Sequence, residues 1–291
     1  MTNLSRRLLL ATALAMGLSA PAPAAEKLHV VASFSILGDI TARIGGERIS
    51  LTTIVGANGD AHVHQPTPDD ARAFADADLI IVNGLGFEGW LDRLTEASGT
   101  RGVIAVATNG VRPVGENDPH AWQNAANAVV YAENIAKALC SADRGACESY
   151  KANAFAYVAE LAALDAEIKS AVARIPLDRR TVIMSHDAFG YFAAAYGVTI
   201  LAPEGVSTES EASAKEVAEL IEQIRAQKAS ALFVENIADP RLIEQIARET
   251  GLKIGGELFS DALSAADGPA PTYIMMMRHN MRLLADAMAG V

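Results

Sequence analysis

Between Cys147 and Ile175 the chain repeats apolar residues at spacings of three and four: Tyr150, Ala154, Tyr157, Leu161, Leu164, Ile168, Val172 and Ile175. That period places them on one face of an α-helix. Pro176 stops it, because proline has no amide proton to give a helix interior. At 1.5 Å per residue such a helix extends about 40 Å, enough to cross from one compact body to another. It lies near the middle of the chain, so the reading is two lobes spanned by one helix.

Both flanks carry the pattern of an α/β lobe. In the first, Leu28 to Phe34, Ser50 to Val55, Leu79 to Asn83 and Val103 to Ala107 are short apolar runs rich in β-branched residues. Runs of that kind, apolar on both faces, suit buried strands of a parallel sheet. Helical patterns alternate with them, most clearly where Thr67 is set to cap a helix with Pro68 at its first position and Asp70 three residues after the cap. In the second, Thr181 to Met184, Val198 to Leu201, Ala231 to Val234 and Lys253 to Gly255 read as strands. Ser213 to Gln227, Pro240 to Thr250 and Pro271 to Ala287 read as helices. The expected fold is α/β: two lobes, each with a central, mostly parallel sheet and surrounding helices, joined by one long bridging helix. The expected boundaries are 25–146 for the N-terminal lobe, 147–175 for the bridge and 176–291 for the C-terminal lobe.

Residues 1–24 read as a cleaved export signal. Arg6 and Arg7 precede an apolar run from Leu8 to about Leu18, with small residues at Ala22 and Ala24. The pair of arginines fits either the twin-arginine or the general secretory route. No cysteine stands near the cleavage position, so a soluble periplasmic protein is expected. Losing residues 1–24 takes the net charge from −11 to −13, a surface that repels nucleic acid and anionic membranes. Export also puts Cys140 and Cys147 where disulfides persist, and the turn-rich spacer SADRGA between them lets the two meet.

Three segments set a histidine beside a carboxylate in turn-like sequence: GDAHVHQPTPDD at 59–70, NDPHAW at 117–122 and SHDAFGYF at 185–192. LFSDAL at 258–263 adds Asp261. Singly, such histidines are more often ordinary hydrogen-bonding residues than ligands. Together, His62, His120, His186 and Asp261 follow predicted strands, and ligands of open α/β sheets gather outside the carboxyl ends of strands. Three imidazoles with one carboxylate suit a borderline ion such as Zn(II). Asp60, Asp118 and Asp187 are the nearest candidates to orient the rings. The pair His62 and His64 also resembles amidohydrolase metal sites, which leaves a metal-dependent hydrolase as an alternative. A metal buffer or adhesin is a third. The acidic, serine-rich stretch from Gly205 to Ser213 is either a flap over the cleft or a solvated loop. His29 and His279 read as structural, and Met275 to Met277 as core.

The blocks GDAHVHQPTPDDARAFADADLIIVNGLGFEGWLDRL, NDPHAWQNAANAVVYAENIAKAL, SHDAFGYFAAAYGV and LFSDALSAADGPAPTYIMMMRHN resemble, in order, the metal-binding solute-binding proteins of zinc and manganese ABC transporters, the periplasmic zinc-uptake type of cluster A-I. The resemblance implies two α/β lobes bridged by one helix, a metal in the cleft, and ligand roles for His62, His120, His186 and Asp261. It implies a binding protein, not an enzyme, that delivers its cargo to the membrane permease of an ABC importer. A monomer is expected, with no nucleic acid as partner to so acidic a surface. Family members that favour manganese tend to carry a carboxylate where His186 stands, so Zn(II) is expected over Mn(II) or iron as the transported ligand. Two departures stand out. Thr108 to Asp118 is short and free of histidine where zinc importers often carry a long His-rich loop, which suggests loading by a periplasmic donor protein or direct capture. His64 stands where relatives often have an aromatic residue and is a candidate auxiliary ligand.

Overall fold

Apolar runs such as Leu79–Val82, buried at every residue, form strands because the sheet is covered on both faces. The computed structural model describes residues 26–115, 118–210 and 212–290; the export signal expected at 1–24 lies outside them. Strands β1 (Leu28–Phe34), β2 (Ile49–Val55), β3 (Leu79–Val82) and β4 (Val103–Val106) make one four-stranded sheet in the order β2-β1-β3-β4. Strands β5 (Thr181–Ile183), β6 (Thr199–Leu201), β7 (Ala231–Glu235) and β8 (Ile254–Leu258) make a second in the order β6-β5-β7-β8. All pairings are parallel. The chain thus repeats one topology, and each sheet offers a row of strand carboxyl ends to one side.

The connecting helices are α1 (Ser35–Gly45), α2 (Pro68–Asp76), α3 (Leu91–Ser98), α4 (Ala125–Ala142), α5 (Cys147–Ala173), α6 (Gly190–Tyr196), α7 (Ala214–Gln227), α8 (Arg241–Thr250) and α9 (Tyr273–Ala289). The start of α2 is a reciprocal cap: Thr67 accepts from the Asp70 amide, and the Asp70 carboxylate accepts from the Thr67 amide. Ser213 and Glu216 do the same for α7. Helices α1 and α3 carry no such start signal in the sequence: neither has a side-chain cap, Phe34 and Trp90 standing at their N-termini.

The long periodic segment forms α5, and all eight apolar residues named above are buried. The helix stops at Ala173, two residues before Ile175, because the residue preceding a proline is pushed out of the α region. The strand expected at Lys253 to Gly255 instead runs Ile254–Leu258. A register shift opposite Leu232 and Val234 carries it through Gly255 and Gly256, glycines that mark a bulge rather than an end.

Helix α5 packs on α4 and α1 of the first lobe and on α9 of the second. One continuous core therefore runs from the first sheet through α5 to α9. Hydrogen bonds tie the lobes beside it. Tyr273 N–H donates to Asp39 Oδ2 at 2.8 Å, Tyr273 O–H to the Trp122 carbonyl at 2.6 Å, and Leu263 N–H to Ser35 Oγ at 2.9 Å. The Cys140 and Cys147 sulfurs lie 2.09 Å apart at the turn between α4 and α5. No described helix is long and apolar enough to cross a membrane.

Candidate metal centre

Loops at the carboxyl ends of β2, β4, β5 and β8 bring His62, His120, His186 and Asp261 together between the sheets. Each offers one donor atom, and these atoms all lie within 4.8 Å of one another. His62 Nε2 is 3.2 Å from His120 Nε2 and 3.3 Å from Asp261 Oδ2. His186 Nε2 is 3.2 Å from Asp261 Oδ2, and His120 Nε2 is 3.7 Å from Asp261 Oδ1. Two of these residues come from each lobe. Both Asp261 oxygens are buried and face the ring nitrogens of the cluster, an arrangement that is costly for an ionised carboxylate unless cationic groups face it.

The opposite side of two rings is held by carboxylates. His120 Nδ1 lies 2.8 Å from Asp118 Oδ1, which also accepts from the His120 amide at 2.9 Å. His186 Nδ1 lies 2.8 Å from Glu235 Oε2, while Glu235 Oε1 accepts from the Ser185 and His186 amides at 2.7 and 3.1 Å. Holding Nδ1 this way turns Nε2 toward the centre and raises its basicity as a ligand. Asp118 can sit where it does because residue 190 is glycine: a Cβ there would collide with Asp118 Oδ2. Behind the rings stands an aromatic wall, with Phe87 4.7 Å from His62 and Trp122 5.2 Å from His120, centroid to centroid. The Trp122 and Gln123 side chains of the first lobe both donate to the Ser260 carbonyl, at 2.9 and 2.8 Å. This fixes the backbone just before Asp261.

Burial opposes charge on both supported imidazoles, yet the carboxylates around them prevail. His120 is raised above its ordinary value by Asp261 and Asp118, and His186 is raised well above by Glu235 and Asp261. Burial pushes Asp261 upward, but the His120 and His186 charges outweigh it and hold the carboxyl well below the usual range. Glu235, also buried, is held below its ordinary value by His186. Protons and a divalent cation therefore compete for the same nitrogens.

Of the three aspartates considered from sequence, Asp118 alone accepts from an imidazole. Asp60 Oδ1 accepts the His62 amide at 2.9 Å and its Oδ2 accepts Thr208 O–H at 2.6 Å. Asp187 is exposed, and its amide donates to the Gly205 carbonyl at 3.1 Å. Sequence reasoning missed Glu235, although a carboxylate directly at the carboxyl end of a predicted strand was the signal for it. His64 does not join the cluster. No strand forms at 56–67 to turn its ring the same way as that of His62; instead it packs 5.2 Å from Trp90 and lies 3.0 Å from Asp70 Oδ2, the group that caps α2. The stretch from Gly205 meets the first lobe through Thr208 and lies at the cleft mouth, its Glu211 being outside the described residues. His29 is an exposed residue of β1, and His279 in α9 lies 3.0 Å from the Glu257 carbonyl. Met276 and Met277 are core, whereas Met275 is 45% exposed.

Two α/β lobes presenting nitrogen and carboxylate donors to one cleft define a cation-binding protein. Residues 30–287 match the model of the ZnuA family, described as zinc-uptake complex component A, periplasmic. The chain belongs to this family, the metal-binding substrate-binding components of ABC transporters, whose counterpart is a membrane permease. Such proteins bind and hand over a solute and are not enzymes, so the hydrolase alternative falls away. Among relatives, the iron ABC transporter substrate-binding lipoprotein MtsA of Streptococcus pyogenes is 34% identical over 278 residues, covering 91% of this chain and 90% of that protein. The manganese-binding lipoprotein MntA of Halalkalibacterium halodurans is 36% identical over 260 residues, covering 88% and 87%. The structure is similar to that of the periplasmic zinc-binding protein TroA of Treponema pallidum, with a TM-score of 0.86 at 29% identity, covering 90% of this chain and 99% of that one.

Proposed function

We propose that this protein captures Zn(II) with His62, His120, His186 and Asp261 and delivers it to the permease of an ABC importer. The observation that carries the reading is the convergence of three ring nitrogens and one carboxylate within 4.8 Å. Relatives are named for iron, manganese and zinc, so family alone does not choose the metal, and the support for zinc is the donor chemistry. Manganese prefers oxygen ligands, whereas three imidazoles favour a borderline ion that accepts a four-coordinate shell. Both Asp261 oxygens face ring nitrogens of the cluster, so the carboxylate can bind through one oxygen or both, and the two-oxygen mode is the feature that speaks for manganese or iron as the second reading.

Capture exchanges protons for metal: His120 and His186 must be neutral to donate, and Asp118 and Glu235 keep their Nε2 atoms directed inward. Delivery follows when docking on the permease separates the two donors of one lobe from those of the other. The protein acts as a periplasmic monomer, exported by residues 1–24, stapled by the Cys140–Cys147 disulfide, and loaded directly or by a donor protein. The test is competitive titration of the mature chain with Zn(II) and Mn(II), followed by X-ray absorption. Zinc binding at least a hundredfold tighter, with three nitrogen donors, is expected. Equal or tighter manganese binding would replace zinc with the second reading.

A further inference from the structure

Of the four donor residues His62 alone keeps any surface, 6% against 0% for the other three. A cleft of about 450 Å³ lies against it. Leu85, Phe87, Pro119 and Val206 give that cleft apolar walls, and its one carboxylate among the described residues belongs to Glu209. Glu209 comes from the second lobe, yet its Oε1 lies 3.8 Å from where a Cβ on Gly89 of the first lobe would stand. The carboxylate thus reaches across the opening. Its loop is fixed at two points, by the Thr208 bond to Asp60 at 2.6 Å and by the Asp187 amide on the Gly205 carbonyl at 3.1 Å.

A hydrated divalent ion entering an apolar passage loses solvation before it gains ligands, and a single fixed anion at the mouth lowers that barrier. From this arrangement we propose that Glu209 is a capture ligand: it takes the incoming hydrated Zn(II) at the cleft mouth, replaces part of its water, and passes it to His62. The proposal rests on the four buried donors being the zinc site. Glu209 is exposed and outside that group, so it acts on the way in and on the way out. A residue of this kind sets the speed of exchange and leaves the final affinity alone.

Stopped-flow association of Zn(II) with the full mature chain, chelator-driven release and equilibrium titration test this together. In Glu209→Gln both rates are expected to fall by a common factor of about threefold to tenfold, with Kd within twofold of wild type. Because the carboxylate is a donor and not only a diffuse charge, the factor persists at high salt. Gly89→Leu provides a second, independent variant. Gly89 is not among the glycines with positive φ, so a side chain fits its backbone and fills the mouth, and both rates fall again. Unchanged rates in either variant overturn the proposal. So does slower association matched by an equal loss of affinity, or an effect that disappears in salt. A wild-type chain that binds no Zn(II) at equilibrium overturns the site reading itself, and the capture role with it.

Discussion

The two lobes share a strand order but fix their donors differently. In the first lobe support is local: Asp118 holds His120 from two residues away, and Asp60 holds the His62 amide from the same distance. In the second, His186 depends on Glu235 at the end of β7, 49 residues further on, and Asp261 on imidazoles from both lobes. Packing differs likewise. The first sheet shares its core with α5 and α9, whereas α7 and α8 pack with Ile183 and Leu232 in a separate cluster. Local turns preform the first lobe's donors; the second lobe's donors are placed by tertiary contacts and charge.

The sharpest way to break this comparison is at Asp261, the residue with no other partner. Asp261→Asn keeps the shape but removes the charge and one oxygen donor. We expect zinc affinity to fall by more than about a hundredfold, beyond the 10- to 100-fold typical of groups that only support a ligand. Isothermal titration reads this directly, and an unchanged Kd would take Asp261 out of the metal shell.

Next in size are the supporting carboxylates. Glu235→Gln and Asp118→Asn should each cost about 10- to 100-fold in zinc affinity, with Glu235→Gln the larger. Glu235 also anchors the Ser185 and His186 amides and is fully buried beside a raised imidazole. Its loss should therefore lower the melting temperature as well. Equal penalties, or a larger one for Asp118→Asn, would remove the contrast between local and distant support.

Acid sharpens the same contrast. Folded values for His120 and His186 are raised, so without metal their protonation contributes stability that is complete below the unfolded value of about 6.5 and lost as pH rises through the folded values. Zinc needs both rings neutral. Its apparent affinity should therefore be level above the raised values and fall as pH drops through them, by about tenfold per unit for each ring protonated. The gain in melting temperature on adding zinc should grow from pH 5.5 to 8. Carboxylates face both rings, so in the metal-free protein the NMR signals of His120 and His186 should each titrate above the free-imidazole range; a signal from either ring at or below that range would contradict the charge environment described for the cluster.

How much of this was legible beforehand follows from where each piece of information resides. Periodicity in α5 and the apolar runs of the strands are local, and they predicted the two sheets and the crossing helix. The convergence of His62, His120, His186 and Asp261 was legible because each follows a predicted strand and because their blocks resemble one family in order. Glu235 was not, since its use depends on β7 lying beside β5, a pairing no local pattern announces. His64 misled for the converse reason: it stands near His62 in sequence, but the cap at Thr67 and Asp70 draws it away.

The smallest expected effect on the metal lies at the disulfide, and it tests whether the first lobe's site is independent of its periphery. Closing the short loop from Cys140 to Cys147 contributes about 2.5 kcal/mol in the chain-entropy model. Asp143 also holds that turn: its Oδ1 accepts from the Gly145 and Ala146 amides, and its Oδ2 meets Arg48 and Tyr150. The double variant Cys140→Ser with Cys147→Ser should thus lose no more than about 2.5 kcal/mol in denaturant unfolding. Its zinc Kd should stay within twofold, because the turn joins α4 and α5 at the ends away from Asn124 and the His120 loop. A tenfold weaker Kd would show that the first lobe's donors depend on that distant staple, and local turns would no longer account for how they are held.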